Sequence, residues 1–500
     1  MELDRRRPAA PRWAALALCA LALALAAGYG ARARHGPALA DEFIYLGGAR
    51  QVARSLSLDA RYYDADAILS RGYPHHDVHA PGYVLILGGL MALVRGTYWT
   101  AVALNLAAYV ASSLLVAGLA RSVGRSPRAA WIAGAVYLVL PAFLPYVFWA
   151  MAELTLAGLF LGCLFAAAAR GDRPCGAALA GLLFGLAFLV RESALFGLPA
   201  VLGLLLGRGR VRTFLAAVLA CLVLVYAPLS RQRAPGGANF WAPTGGKAFG
   251  YQAVQAARAG RLGEAAGLAL DRARANLEEL LSPATAPVEK GILATYAFLA
   301  LAGAAAWRGS GPAARRLLAG LGLGLAAMLA VLFGVYVVGQ WSGFRYLMFL
   351  MPALLPSLVL PLDARGGPLR RTAPVALLAV ASVALDLRTL ALLNAYKASR
   401  QRRQQAITAY VERYVDPRSV GRIALPNGWL FGLKHFPVEV ISSVPDQGGV
   451  LRQLERAVWF DVLVLPGNTG LAEEMQRRPK YRRLNGDDPE PPLLVYRRLR

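Results

Sequence analysis

The chain has 500 residues, of which 57% are hydrophobic and only 17% are charged. Ordinary soluble domains are about 45–50% apolar and about 25% charged, so the composition excludes a disordered chain, a coiled coil and a nucleic-acid-binding globular protein. The formal net charge is +25, but the arginines are spread over the ends of apolar runs, where they orient membrane helices. The sequence therefore predicts a polytopic α-helical membrane protein with membrane lipids, and not nucleic acid, as its surroundings.

A basic N-terminal segment, residues 1–12, precedes a first apolar run at 13–29. Signal peptides and first membrane helices share this pattern, and we interpret the run as a retained helix. Residues 31–80 then form a polar segment that holds most of the histidines and a group of acids. We predict that this segment is the first extracytoplasmic loop.

Further apolar runs recur at 81–95, 98–120, 129–149, 151–169, 174–190, 194–207, 211–229, 290–307, 316–339, 345–362 and 372–394. Several are shorter than the about 20 residues that a straight membrane helix needs, so we predict about 11–13 transmembrane helices and expect 81–95 not to span. Prolines interrupt other runs, which is typical of helices that line a protein cavity. Gly320, Gly322 and Gly324 are expected to mark close helix packing.

The short loops predict an orientation. Arginines cluster at 121–128, 170–173, 208–212, 308–316 and 365–371. Such clusters stay on the cytoplasmic side, so the turns at 146–153, 191–193, 340–344, the second large loop at 230–289 and everything after 395 should face outward. The alanine- and arginine-rich composition is typical of a GC-rich bacterium, and we therefore predict a multi-pass protein of a bacterial inner membrane.

The end of the chain changes character after the last apolar run. Strands are predicted at 420–425, 439–444, 460–465 and 493–497, and helices at 400–414, 451–458 and 471–478. Alternating strands and helices are typical of a small α/β domain. We therefore divide the chain into a membrane domain, residues 1–396, and an extracytoplasmic α/β domain, residues 397–500.

Acidic residues near the predicted membrane boundary are candidates for acid–base chemistry. Asp41 and Glu42 are adjacent just beyond the first run, and a carboxylate near apolar surface suits a general base. The alternative is an ordinary helix start, which also favours acids. Glu153 lies inside an apolar stretch, where acids usually face a cavity or a partner, although it could also begin an interfacial helix.

Histidines gather in one short segment. His75, His76 and His79, with Asp77 between them, could ligate a divalent metal. The alternative is a polar loop that leads into a helix started by Pro81. No cofactor is certain from the sequence, and a divalent metal stays open.

Three cations in segments that are predicted to face outward are further candidates. Arg191 is followed by Glu192, so the two could neutralise each other, or Arg191 could bind a lipid phosphate. Arg345, before Tyr346, is on the predicted outer side, where a phosphate partner would account for it and snorkelling to the headgroups is the alternative. Lys247 lies in a glycine-containing loop that lacks the spacing of a nucleotide-binding P-loop.

Taken together, these features resemble the GT-C superfamily of membrane glycosyltransferases, in particular the protein O-mannosyltransferase and lipid A aminoarabinose transferase type. Four motifs carry the resemblance: Asp41-Glu42 with Tyr45 after the first helix, His79-Ala80-Pro81-Gly82-Tyr83, Arg345-Tyr346 with Pro352 downstream, and Tyr226-Ala227-Pro228 before a basic loop at 231–250. The first of them is why the N-terminal run is interpreted as a retained helix. Stricter relatives have Lys-Pro-Pro in place of His79-Ala80-Pro81, and Glu153 stands where some have an active-site aspartate.

The resemblance implies inverting transfer of a sugar from a polyprenyl-phosphate donor to an acceptor hydroxyl of a lipid, protein or glycan on the outer face. It implies that Asp41, with Glu42, is the base, and that Arg345, with His79 or Arg191, stabilises the leaving lipid phosphate. Tyr45, Tyr83, Glu153, Tyr346 and Lys247 are further active-site candidates.

Two other classes of protein remain open. A transporter or flippase for a lipid-linked sugar also needs broken helices and intramembrane charges. It does not need the acidic outer loop or the C-terminal domain. A polysaccharide ligase or polymerase would use the same donor, with its key residues usually in a late loop.

Overall fold

The computed structural model describes residues 12–38, 40–55, 62–64, 80–94, 96, 98–124, 126–231, 251–282, 287–335, 344–356, 368–416, 419–426, 439–444, 448–466, 470–488 and 493–499. The α-helices are α1 Arg12–Gly30, α2 Ala40–Ser55, α3 Gly82–Val94, α4 Tyr98–Val123, α5 Pro127–Leu138, α6 Phe143–Val147, α7 Glu153–Arg170, α8 Pro174–Val190, α9 Leu198–Leu206, α10 Val211–Arg231, α11 Tyr251–Arg258, α12 Leu262–Leu281, α13 Pro287–Ala306, α14 Pro312–Val335, α15 Pro368–Glu412, α16 Gly448–Ala457 and α17 Gly470–Gln476. Short 3₁₀ helices cover Glu192–Gly197, Phe344–Leu347 and Met351–Leu354. The strands are β1 Tyr62–Asp64, β2 Arg422–Pro426, β3 Glu439–Val444, β4 Val462–Pro466, β5 Tyr481–Arg483 and β6 Leu493–Arg498.

The described residues fall into two compact units. The first draws on the ranges Met1–His35, Ala101–Ala227 and Ala248–Leu392, and the second on Gly36–Thr100, Pro228–Lys247 and Leu393–Arg500. The boundary predicted at 396/397 lies inside α15, one continuous helix of 45 residues. The predicted division into domains stays a prediction.

Five described helices are long and apolar enough to cross a membrane, namely α1, α4, α7, α14 and α15. Five shorter apolar helical segments accompany them, at Gly82–Val94, Pro174–Val190, Glu192–Leu206, Val211–Val225 and Lys290–Ala306. Together they confirm a multi-pass α-helical membrane protein, while the number of spanning helices stays a prediction. Helix α3 has only 13 residues, fewer than the about 20 that a straight span needs.

The apolar run at 129–149, expected as a single segment, is broken in the first unit. Helix α5 ends at Leu138, and Ala142 has a φ of 77° before the short helix α6 begins. The cause is Pro141, whose ring disfavours a helical conformation for the residue before it. The break leaves backbone carbonyls that other side chains must satisfy.

Helix α14 packs closely against α9 and the 3₁₀ helix before it, and two of its glycines make this contact. A Cβ atom on Gly320 would collide with the backbone of Ala200, and one on Gly324 with the carbonyl oxygen of Phe196. The prediction of close packing is therefore correct for these two glycines. It is wrong for Gly322, where an added Cβ would meet no atom within 4 Å.

The second unit is built on a six-stranded sheet with the order β1-β3-β2-β4-β6-β5. The four strands from β1 to β4 in this order are parallel, and β6 and β5 continue the sheet antiparallel. The four strands predicted from sequence are present as β2, β3, β4 and β6. Strand β1, from the first polar loop, and the three-residue β5 were not predicted.

Apolar residues cover both faces of this sheet. On one face, Phe43 and Ile44 of α2 pack with Ile407 and Val411 of α15 over buried strand residues such as Val464. On the other, α16 and α17 contribute a second buried cluster around Phe460 and Leu463 of the strand region. The result is a helix–sheet–helix sandwich in which the segment that carries Asp41 and Glu42 is part of the core.

Candidate functional site

In the second unit, the acidic pair begins α2, and its two members lie in different environments. Glu42 is fully buried, and its Oε2 accepts a hydrogen bond of 2.9 Å from the backbone N–H of Ala38. Asp41 is only half buried. The adjacent carboxylates therefore serve different purposes: Glu42 is fixed inside the protein, while Asp41 lies nearer its surface.

The buried Glu42 has a cationic partner that the sequence analysis missed. Lys397 of α15 is 2% exposed and interacts electrostatically with Glu42. Its Nζ also donates a hydrogen bond of 3.3 Å to the carbonyl oxygen of Gly36. A buried carboxylate requires such compensation, because an unpaired buried charge is strongly unfavourable.

The two tyrosines of the predicted motifs pack together next to the acidic pair. The rings of Tyr45 and Tyr83 lie edge to face with centroids 5.0 Å apart, and both side chains are fully buried. Their helices, α2 and α3, approach closely at Gly88, where a Cβ would lie 2.6 Å from that of Val52. Both residues thus help to hold the start of α2 in place.

In the first unit, three residues distant in sequence form a buried charged cluster, which we call the arginine cluster: Glu153, Arg191 and Arg345. The Oε1 atom of Glu153 forms a salt bridge with Nη1 of Arg191 and lies 3.7 Å from Nε of Arg345. The side chains are only 1%, 8% and 14% exposed, respectively. Arg191 therefore forms a salt bridge with Glu153, and the side chain of Arg345 is largely buried next to the same carboxylate.

Two tyrosines, Tyr346 and Tyr146, complete the arginine cluster. The guanidinium carbons of Arg191 and Arg345 lie 4.5 Å and 5.4 Å from the centre of the Tyr346 ring. Cations stack favourably on an aromatic face at these distances. Tyr146 is close enough to interact electrostatically with the three charged residues. The cluster therefore holds two cations over one ring, and both contact the carboxylate of Glu153.

Helix ends position the three charges of the cluster. Glu153 is the first residue of α7, Arg191 follows the last residue of α8, and Arg345 lies in the 3₁₀ helix Phe344–Leu347. The ends of neighbouring apolar helices can place charged side chains at the same depth. Among membrane helices, irregular backbone such as the 3₁₀ helix occurs where it is buried in protein or lines a cavity.

The broken segment before Glu153 is held by polar side chains on one face of α4. Asn105 donates to the carbonyl oxygens of Tyr146 (3.2 Å) and Trp149, Tyr109 donates to that of Leu138, and Ser113 to that of Gly134 (3.0 Å). The spacing of four residues puts these donors in one row along the helix. They satisfy backbone groups that no water could reach inside a membrane.

Asp386 of α15 completes this support. Its Oδ1 accepts a hydrogen bond of 3.0 Å from the backbone N–H of Ala142, the residue with positive φ. Sequence reasoning overlooked Asp386, although an acid inside the apolar run 372–394 was a usable signal. Lys397, in contrast, follows that run directly, where a cation is common, so its position carried no such signal.

Other candidates lie outside the described residues: His75, His76, His79 and Lys247. Their predicted roles stay predictions. Within the ranges that the structure describes, no group of three or more His, Cys, Asp or Glu side chains could hold a metal ion.

The fold is shared with several solved membrane proteins. A crystal structure of ArnT from Cupriavidus metallidurans bound to undecaprenyl phosphate superposes with a TM-score of 0.56 and 13% identity, covering 96% of this chain and 97% of that chain. The oligosaccharyltransferase AglB from Archaeoglobus fulgidus, in complex with an inhibitory peptide and a dolichol-phosphate, gives a TM-score of 0.52 at 13% identity, over 90% of this chain and 69% of that chain. Another AglB structure is a complex with Zn and sulfate.

A mycobacterial arabinofuranosyltransferase, AftD, matches 99% of this chain with a TM-score of 0.53 and 14% identity, but this chain spans only 42% of AftD. No protein-family profile and no curated protein matches the sequence. These likenesses define the class of protein: the chain is a multi-pass membrane protein. It has the GT-C fold of membrane glycosyltransferases, as its motifs predicted.

Proposed function

We propose that the chain is an inverting glycosyltransferase that moves a sugar from a polyprenyl-phosphate donor to an acceptor hydroxyl on the outer face of a bacterial inner membrane. The observation that carries the proposal is the arginine cluster, in which two largely buried arginines of the first unit meet at one carboxylate. In a fold whose relatives include ArnT bound to undecaprenyl phosphate and AglB bound to dolichol-phosphate, a lipid phosphate is the natural ligand for such a cluster.

In the proposed reaction, the acceptor oxygen attacks the anomeric carbon of the sugar as the bond between that carbon and the phosphate oxygen breaks. Asp41 takes the proton of the acceptor hydroxyl, as a general base. The lipid phosphate leaves with the electron pair, and Arg345 and Arg191 stabilise its growing negative charge. Two guanidiniums that are held in place suit this role, because the planar fork of N–H donors of each one matches the geometry of phosphate oxygens.

The remaining predicted residues have supporting roles in this proposal. Glu42, held by Lys397 and the backbone of Ala38, fixes the first turn of α2 and so orients Asp41. Tyr346 orients the two guanidiniums through its ring. His79 and Lys247 stay candidates for donor contacts. A divalent metal held by His75, His76 or His79 stays a hypothesis, and it takes part in no step of the proposed reaction.

Sugar transfer by purified protein tests the proposal. Radiolabelled polyprenyl-phosphate sugars are offered with a membrane extract as acceptor to the wild type, to Asp41→Asn and to Asp271→Asn, an acid of α12 chosen as the control. We expect transfer by the wild type and the control and a loss of at least about 100-fold in Asp41→Asn, the usual contribution of a general base. Donor binding should persist in all three proteins.

Two results would contradict this assignment. Equal turnover by Asp41→Asn and wild type would exclude Asp41 as the base while leaving the transferase intact. If no protein transfers any sugar but all bind the lipid donor equally and move it across vesicle membranes, the transporter hypothesis replaces the transferase.

A further inference from the structure

We propose that a groove in the first unit binds an anionic phospholipid of the surrounding membrane. The groove, which we call the α13–α14 groove, has a volume of about 620 Å³, within the range of about 300–1,000 Å³ that is usual for ligand pockets. Besides three leucines, its lining includes Ala300, Gly303, Ala304, Trp307, Arg308 and Gly322. These residues differ from the members of the arginine cluster, so the inference is independent of the proposed function.

The two ends of the groove differ in polarity. Trp307 and Arg308 directly follow α13 and therefore lie next to the loop that leads into α14. Ala300 and Leu325 lie deeper along the two helices, where the lining is apolar. The deeper part is open at Gly322, since an added Cβ there would meet no atom within 4 Å. Open space of this kind in the hydrocarbon region of a membrane is filled by lipid chains and not by water.

Hydrogen bonds hold the loop in which Arg308 lies. Nε of Arg315 donates to the carbonyl oxygen of Trp307 at 3.2 Å, and its Nη2 donates to that of Arg308 at 3.1 Å. The hydroxyl of Ser310 donates to the carbonyl oxygen of Ala306 at 2.6 Å. The guanidinium of Arg308 is exposed, and within the part of the chain that the structure describes it forms no ion pair. The loop thus fixes the backbone of Arg308 and leaves its charged group available to a ligand.

The charge of this hairpin favours an anionic headgroup. Three arginines, Arg308, Arg315 and Arg316, lie within nine residues, and the sequence has no Asp or Glu from 290 to 362. Tryptophan is common at the level of the lipid headgroups, which is where Trp307 puts the loop end of the groove. Basic residues next to a membrane helix attract anionic lipids, and a guanidinium suits a phosphate oxygen in its donor geometry. One acyl chain of the lipid then lies along the apolar part of the groove.

Lipid binding to the whole chain tests the inference. Delipidated protein in detergent is titrated with phosphatidylglycerol, or with phosphatidylcholine of the same acyl chains, and the bound lipid is counted by native mass spectrometry. We expect wild type to prefer phosphatidylglycerol, and its affinity for this lipid to fall about fivefold in Arg308→Gln, the usual effect of removing one arginine near an anionic lipid. Arg308→Lys keeps the charge and should retain most of the preference.

Matched variants separate the groove from the rest of the surface. Arg128→Gln removes another exposed arginine that is predicted to face the cytoplasm and should leave both affinities unchanged. Gly322→Leu fills the groove and should weaken binding of both lipids. Gly28→Leu is its control, because Gly28 of α1 is also exposed and an added Cβ there would meet no atom within 4 Å.

Three results would overturn the inference. The first is equal affinity of wild type for the two lipids, and the second is equal binding by Gly322→Leu and Gly28→Leu. The third is displacement of phosphatidylglycerol from wild type, but not from Gly322→Leu, by a polyprenyl phosphate at equal concentration, which would make the groove part of a site for the proposed donor. Loss of sugar transfer in Asp41→Asn bears on the proposed function alone, so the two proposals can fail separately.

Discussion

The carboxylates of Asp41 and Glu42 are neighbours in sequence, yet Glu42 is fully buried and interacts electrostatically with Lys397, while Asp41 is half buried. A buried ion pair contributes little net stability compared with an apolar pair, but removing one member leaves the other charge uncompensated. At the residue scale, Glu42 is therefore important for the position of α2, and Asp41 for the chemistry that we propose.

Replacing Lys397 should show that α2 depends on a compensated charge at Glu42. Lys397→Met leaves Glu42 charged and buried, and we expect it to lower the free energy of unfolding by about 3–5 kcal/mol. The thermal midpoint in detergent, followed by circular dichroism, is the measurement. Lys397→Arg keeps the charge and should lie much closer to wild type.

The double variant Glu42→Gln with Lys397→Met serves as the control. It removes both charges and should recover a large part of the lost stability, since residues in one ion pair do not act additively. Identical midpoints for Lys397→Met and wild type would show that the pair does not hold α2.

At the scale of elements, sequence patterns predicted the regular structure well and its partners poorly. Strand β3 is found over Glu439–Val444 as predicted, because apolar residues with high β propensity mark it locally. Strand β1 has only three residues and pairs with β3 from a distant part of the chain, so no local pattern indicates it. Tertiary partners, such as Lys397 for Glu42, leave no trace in composition or spacing.

The candidate site residues show the same contrast: the residues were predicted from local sequence patterns, but their tertiary contacts were not. Glu153 and Arg345 were found because charges in apolar surroundings are expensive and need a reason. Their mutual contact was not predicted, since it depends on how the ends of α7 and α8 meet the 3₁₀ helix Phe344–Leu347. The donors Asn105 and Tyr109 were missed because polar side chains of moderate size are common in membrane helices.

The packing of α14 gives a prediction with an internal control. Gly320→Ala places a methyl group against the backbone of Ala200, which cannot move aside as a flexible side chain could, and we expect a loss of about 1–3 kcal/mol from overpacking. Gly322→Ala, two residues away, meets nothing within 4 Å and should be neutral or slightly stabilising, because alanine favours helix.

The measurement is the midpoint of thermal unfolding, compared between Gly320→Ala and Gly322→Ala in the same detergent. A Gly322→Ala protein less stable than Gly320→Ala would mean that α14 packs through a different face.

At the scale of the whole molecule, the positive-inside rule predicts a cytoplasmic loop between α13 and α14 and an outward-facing segment after residue 395. Gly311, in that loop, and Asp487, in the turn before β6, are both exposed. In spheroplasts of cells that express Cys175→Ala protein, a membrane-impermeant maleimide should label Asp487→Cys but not Gly311→Cys. Permeabilised cells should label both.

The opposite labelling pattern would reverse the orientation and put the proposed chemistry on the cytoplasmic side. Labelling of both variants in intact spheroplasts would show that the two positions share one side of the membrane, which would change the number of spanning helices between them.

The order of strands in the sheet has a consequence for how the chain can be dissected. Its two edges are the three-residue strands β1 and β5, and such short edges offer few backbone groups for another molecule to pair with. A fragment that starts after residue 396 would lack β1 and α2, which leaves the six-residue β3 as an open edge and uncovers the apolar face on which Phe43 and Ile44 pack. Such a fragment should self-associate through strand addition, so soluble production of this part of the protein requires the early polar loop to be supplied with it.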